Sequence, residues 1–119
     1  MEASISFKSI SKKILNDTLF ADLSFGVEKG TKFAIVGPNE SGKSTIIKLI
    51  CGLVHKNKGV VYVNGSDPSI RPIEVKCNIG YMPQKIDFNK SITLLENIIL
   101  YGELYGISQN NSKNEALKL

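Results

Sequence analysis

Nine consecutive residues, Gly37-Pro38-Asn39-Glu40-Ser41-Gly42-Lys43-Ser44-Thr45, constrain this chain more than any other feature. They fit G-x-x-x-x-G-K-[ST], the phosphate-binding P-loop, whose backbone N–H groups converge on the phosphates of a nucleotide. The helix that follows such a loop adds its positive N-terminal end to the same point. In this pattern Lys43 supplies a point charge for the β- and γ-phosphates, and Ser44 a hydroxyl for Mg2+. The motif needs a strand before it and a helix after it. Lys32-Phe33-Ala34-Ile35-Val36 is a short, mostly apolar run that reads as a buried strand. Ser44 to Val54 reads as a helix, with Ile46, Ile47, Leu49, Ile50 and Leu53 forming a broad apolar face that Gly52 weakens at its end.

The bulk properties narrow the class further. The 119 residues suit one domain or part of one, and 42% apolar with 22% charged residues is a globular composition. The net charge is +4, but the lysines are scattered. Lys12-Lys13 and Lys56-Asn57-Lys58 are the tight groups, and both read as solvated turns, so no nucleic acid is expected as a partner. Cys51 and Cys77 make neither a disulfide framework nor a metal site. Cys51, on the helix after the loop, reads as a small buried apolar residue in a reducing, cytosolic setting. Met1-Glu2-Ala3-Ser4 lacks the basic and apolar regions of a signal peptide. The longest nearly apolar segment, Ile46 to Val54, is too short to span a bilayer, so membrane association has to come through a partner.

Along the chain, Ile5 to Ile10 alternates as a half-buried strand does. Leu19 to Val27 follows, with Leu23, Phe25 and Val27 on one face and Ser24 and Gly26 on the other. Glu28-Lys29-Gly30 is a turn. Beyond the loop helix, Gly59-Val60-Val61-Tyr62-Val63 is β-rich and is closed by Asn64-Gly65, a tight-turn signal. Ser66 to Pro72 reads as loop, and Ile79-Gly80-Tyr81-Met82 as a short strand ending at Pro83. Gln84 to Ser91 is polar and irregular. Thr93-Leu94-Leu95-Glu96 is a capping box, starting a helix that carries Leu94, Leu95, Ile98, Ile99 and Tyr101 and ends near Gly106. Ser108 to Lys113 reads as a polar linker, and Asn114 to Leu119 as the first turns of another helix.

These segments together resemble the nucleotide-binding domain of an ATP-binding cassette (ABC) ATPase. Leu19 to Gly30 is similar to the family's "L-x-D-[VL]-S-F-x-V-x-x-G" entry to the loop strand. Gly52-Leu53 followed by Gly59 to Gly65 is similar to its "G-[LI]…G-x-[IV]-x-[IV]-x-G". Ile79-Gly80-Tyr81-Met82-Pro83-Gln84 looks like the Q-loop. Ser91 to Asn97 and Leu104-Tyr105-Gly106-Ile107-Ser108 resemble bacterial exporters in particular. The resemblance implies an α/β fold: a P-loop NTPase core, truncated, with an N-terminal antiparallel β subdomain and the start of a helical subdomain. It divides the chain into 1–32 and 59–65 (β subdomain), 33–58 and 75–84 (P-loop core to Q-loop), and 85–119 (start of the helical subdomain). It further implies ATP and Mg2+ as cofactors. Lys43 and Gln84 are the catalytic candidates, Gly37 through Thr45 hold the nucleotide, and Ser44 and Gln84 serve the metal. Implied partners are membrane-spanning transporter subunits and a second nucleotide-binding domain. The implied location is cytoplasmic, on the inner face of the cell membrane.

The sequence departs from the family pattern in three places. Glu40 stands where the family usually has Gly, so a Cβ is expected to cost about 1–2 kcal/mol if the backbone there needs φ > 0. The aromatic residue that stacks on adenine aligns with Ile14, or with Leu15. The family's signature loop, Walker B strand, catalytic Glu and switch His have no counterpart, and His55 reads as an exposed helix-end residue. The expectation is roughly the N-terminal half of a catalytic domain, able to bind Mg·ATP weakly and to hydrolyse it negligibly, with an exposed sheet edge. The other readings are a DNA-repair or chromosome-type ABC ATPase, a small-molecule kinase and a non-enzymatic remnant. Thr93 to Leu119 lacks the heptads the first would bring, and the Asn64-Gly65 turn and Q-loop order do not suit the second.

Overall fold

Alternating apolar residues build a three-stranded antiparallel sheet in the computed structural model, which describes residues 3–119. Strands β1 (Ala3–Ile14), β2 (Asp17–Glu28) and β3 (Lys58–Val63) lie in the order β2-β1-β3. Central Phe7 is opposite Phe25 on one side and Val61 on the other, and is 2% exposed. Its ring stacks on Phe25 at 4.6 Å, and Phe25 stacks on Phe33 at 5.6 Å. Leu23, Phe25 and Val27 are half-buried while Ser24 and Gly26 are exposed, as the alternation requires.

Phe7 and Ile10 are both buried, although three positions apart they belong on opposite faces of a regular strand. An irregularity at Ser9 resolves the conflict. Ser9 takes φ 50°, the register shifts between Phe7 and Ile10, and the Ser9 N–H donates to Ser24 Oγ at 2.8 Å instead of to the ladder. One extra residue returns Ile10 to the core face. Gly59 lies against this bulge at φ 85°, where a Cβ would run into the Ser9 and Lys8 carbonyl oxygens.

Helix α1 (Lys43–Ile50) lays Ile46 and Leu49 on the core formed by Phe7, Ile10, Val61, Val63 and Val75. It is shorter than the expected Ser44 to Val54. Gly52, at φ 66°, closes it with the Leu53 N–H on Lys48 O (2.8 Å) and the Gly52 N–H on Leu49 O (3.2 Å), the paired bonds of a Schellman stop. Asn64 (φ 47°) and Gly65 (φ 83°) form the tight turn after β3, across which Val63 and Ser66 exchange both backbone bonds. Helix α2 (Pro72–Cys77) then begins at a proline that the sequence suggests as part of a loop. Proline suits a first helical position because its missing N–H has no partner there anyway.

Two expected strands are not formed among the described residues. Lys32 to Val36 and Ile79 to Met82 have no ladder partner. Their composition suits a buried parallel strand, but a strand exists through the neighbours that accept its hydrogen bonds.

Contacts divide the chain into Met1–Tyr81 and Met82–Leu119. In the second unit, α3 (Leu94–Leu104) starts at the expected capping box. The Thr93 N–H donates to Glu96 Oε2 at 2.7 Å, and the Glu96 N–H donates to Thr93 Oγ1 at 3.2 Å. Gly106 ends it at φ 77°, with the Ile107 N–H on Gly102 O at 2.9 Å. Helix α4 (Gln109–Ala116) occupies most of the expected linker. It has no apolar period to announce it, but Ser108 caps it through the Asn111 N–H at 3.4 Å.

Candidate functional site

The turn between β2 and α1 brings Gly37 to Thr45 into one loop, exposed over Gly37 to Ser41 and buried at Gly42. Gly42 takes φ 96° and caps α1, its carbonyl accepting the Ile46 N–H at 3.0 Å. A Cβ on Gly42 would press on the Leu19 and Phe20 side chains at 3.1 Å, so both conformation and space call for glycine. On Gly37 a Cβ would meet Ser41 Oγ at 2.8 Å. Ser41 N–H closes the turn onto Pro38 O at 3.4 Å.

Lys43, the first residue of α1, folds back over the loop. Its Nζ donates to Gly37 O at 2.6 Å and Pro38 O at 2.5 Å. The ammonium is therefore held at the loop mouth, above the start of a helix whose first N–H groups lack helical partners. This arrangement suits an anion with several oxygens. Glu40 is the residue at odds with it, exposed and at φ 64°, so the positive-φ conformation anticipated for a glycine is adopted by a glutamate.

Ser44 follows Lys43 and is exposed; Thr45 is half-buried. Ser44 and Lys43 line a cleft of about 540 Å3 whose other walls include Ile5, Phe25, Val27, Phe33, Ile35, Ile47 and Ile50. Ile14 ends β1 opposite Asp17, 49% exposed, next to Leu15 at φ 54° on the hairpin tip. Gln84 lies in the second unit, exposed at a bend. His55 is exposed and Cys51 buried, as expected; burial pushes the Cys51 thiol up, and Lys76 partly offsets it. Among the described residues no cluster of three His, Cys, Asp or Glu could hold a metal ion. No described helix is long and apolar enough to cross a membrane.

Two polar clusters escape sequence reasoning. In the first unit Asp67, 7% exposed, accepts Lys56 Nζ on both oxygens (3.2 and 3.0 Å) and the Ser69 N–H on Oδ1 (2.7 Å). Burial pushes the Asp67 carboxyl up, but the Ser69 N–H and the Lys56 hydrogen bond and charge outweigh it and hold it below the usual carboxylate value. In the second unit Asn97, 3% exposed, accepts the Asn89 N–H (2.9 Å). Its amide donates to Asn89 O (3.0 Å) and Thr93 O (2.9 Å). The available signals were Asp67 two residues after the Asn64-Gly65 turn and Asn97 inside an apolar helix.

Residues 20–119 match the sequence profile of the ABC transporter family. The chain belongs to that family. Among its relatives is the linearmycin resistance ATP-binding protein LnrL of Bacillus subtilis, 33% identical over 94% of this chain. A Nod factor export ATP-binding protein I of Burkholderia lata is 29% identical over 89%. The cytochrome c biogenesis ATP-binding export protein CcmA of Reclinomonas americana is 37% identical over 82%. A solved ATP-binding subunit of an ABC transporter superposes with TM-score 0.78 at 30% identity, over 87% of this chain and 43% of that one. The fold is thus a fragment of the ABC ATPase fold, an antiparallel β subdomain with helices. The chain spans 36% of LnrL, 35% of the Nod factor protein and 43% of CcmA.

Proposed function

We propose that this chain forms the phosphate-gripping front part of the ATP-binding subunit of an ABC exporter. The observation that carries the reading is the Lys43 ammonium seated on the Gly37 and Pro38 carbonyls at the head of α1. Gly37 through Thr45 wrap the phosphates, Lys43 neutralises them, and Ile14 packs against the base as an apolar surface. When bound, Mg2+ would offset phosphate charge and polarise the terminal phosphoryl group; Ser44, exposed beside Lys43, would supply its hydroxyl oxygen. The names of the relatives, which speak of resistance and export, support transport out of the cell as the task of the whole protein. Such a protein works with membrane-spanning subunits and a second nucleotide-binding domain, at the inner face of the membrane.

Phosphoryl transfer rests on positioning and charge stabilisation, and needs a group to orient the attacking water and an acidic metal partner. Neither stands in the first unit beside Lys43, so these 119 residues bind Mg·ATP and turn it over negligibly. Calorimetric titration tests this. Mg·ATP binding that Lys43→Ala abolishes supports the reading. Absence of binding in the unsubstituted chain rejects it, and clear turnover that Lys43→Ala abolishes rejects the claim of negligible hydrolysis.

A further inference from the structure

The polar cluster behind the loop has no part in gripping phosphate, yet it joins the two ends of the candidate site. From its N-terminus at Lys43, α1 extends about 12 Å, at 1.5 Å per residue. Its far end stops at Gly52, which lies so close to the 66–69 loop that a Cβ would be 3.0 Å from Pro68 O. Four residues later Lys56 reaches into that same loop, bonding Asp67 and also Ser69 Oγ at 3.0 Å. The residues flanking Lys56 are tied to β1 instead. His55 O accepts Lys12 Nζ at 2.7 Å, the Asn57 N–H donates to Ser11 O at 3.0 Å, and Asn57 Oδ1 accepts the Lys13 N–H at 2.8 Å. Ile14 is the next residue of that strand.

We infer that the Lys56–Asp67 ion pair is a positioning device. It fixes residues 55–57, and through them the spacing between the phosphate loop at the head of α1 and the hairpin end that presents Ile14. Pivoting α1 by ten degrees about its far end moves Lys43 by about 2 Å. Binding geometry tolerates about 0.5 Å. A side chain that only fills space would not need both carboxylate oxygens, a hydroxyl and a backbone N–H converging on one pair. The side chains of Lys56 and Asp67 are 14% and 7% exposed, so the pair is shielded from the screening that weakens surface ion pairs.

The inference rests on the proposed nucleotide site, and the test separates the two. Mg·ATP and inorganic tripolyphosphate are titrated into the unsubstituted chain, Asp67→Asn, and the double substitution Lys56→Met with Asp67→Leu, which replaces the pair by apolar volume and protects against simple unfolding. Tripolyphosphate needs the loop alone, whereas ATP needs loop and hairpin at the right distance. The expected result is about a tenfold loss of ATP affinity in both variants, with tripolyphosphate affinity within about twofold. Unchanged ATP affinity, or equal loss for both ligands, overturns the inference. If the unsubstituted chain binds neither ligand, the functional reading fails and amide exchange decides the inference. Faster exchange at Lys13 and Asn57 in the double variant upholds it, and unchanged protection overturns it.

Discussion

Glu40 sets two effects against each other at a single residue. A left-handed backbone costs a non-glycine residue about 1–2 kcal/mol, while glycine there costs about 0.5–1 kcal/mol in unfolded-state entropy. Glu40→Gly is therefore expected to raise stability by no more than about 1.5 kcal/mol. Removing the carboxylate from the mouth of an anion loop should, however, strengthen Mg·ATP binding by several-fold. Glu40→Val keeps the strain and adds β-branching, so it should lose about 1 kcal/mol or more. Thermal melts of the three proteins with parallel titrations check this ordering. Asp67 behaves differently because its charge is used. Its carboxyl is held below the usual value, so the native state binds fewer protons than the unfolded chain there. Stability from this group is full above the unfolded carboxylate pKa of about 3.9 and is lost as pH falls through the lower native value. Denaturant unfolding from pH 6 to pH 3 should show an acid loss that is shallower in Asp67→Asn.

Among the elements, α3 is organised by a polar residue. Asn97 satisfies both backbone groups of Asn89 and the Thr93 carbonyl, and so folds the 89–93 turn onto the helix start. Asn97→Ala removes these side-chain hydrogen bonds and leaves the Asn89 N–H without its protein partner, which costs about 1–3 kcal/mol. Hydrogen exchange should then rise sharply at Asn89 and through the first turn of α3, with α1 unaffected. Thr93→Ala should lose about 1 kcal/mol, since it removes the cap alone. The contrast between these neighbours marks what the sequence makes legible. Thr93, Gly106, Asn64-Gly65 and the glycines of the phosphate loop act through local backbone rules, and reading them from the sequence succeeds. Asn97 and the Lys56–Asp67 pair act through partners eight and eleven residues away, which no local rule identifies. The same distinction explains the misread elements. Pro72 starts α2 where it suggested a loop, and α4 has a cap but no apolar period. Lys32 to Val36 has the composition of a strand but lacks the neighbours that would make it one.

For the whole molecule, the missing neighbours leave apolar surface open. Val36 is 91% exposed, and Phe33, which lines the cleft of about 540 Å3 together with Lys43 and Ser44, is 54% exposed. The relatives are about twice the length of this chain or longer, so they have polypeptide available to cover the corresponding surface. An extended apolar segment with free backbone groups templates pairing with any other chain. The isolated 119 residues should accordingly self-associate with rising concentration, through residues 32–36. Val36→Lys places a charge on the segment without touching the Phe7–Phe25–Phe33 stack, so it should cut association while changing stability by about 0.5 kcal/mol or less. Phe33→Lys serves as the contrast. It breaks the stack, and it should lower both association and stability, since replacing an exposed but stacked aromatic removes packing as well as apolar surface. Sedimentation velocity at several concentrations, with thermal melts of the same samples, separates these outcomes. Association unchanged in Val36→Lys would mean that another surface carries it, and the exposed residues Leu94, Leu104 and Leu117 of the second unit would be the next to substitute.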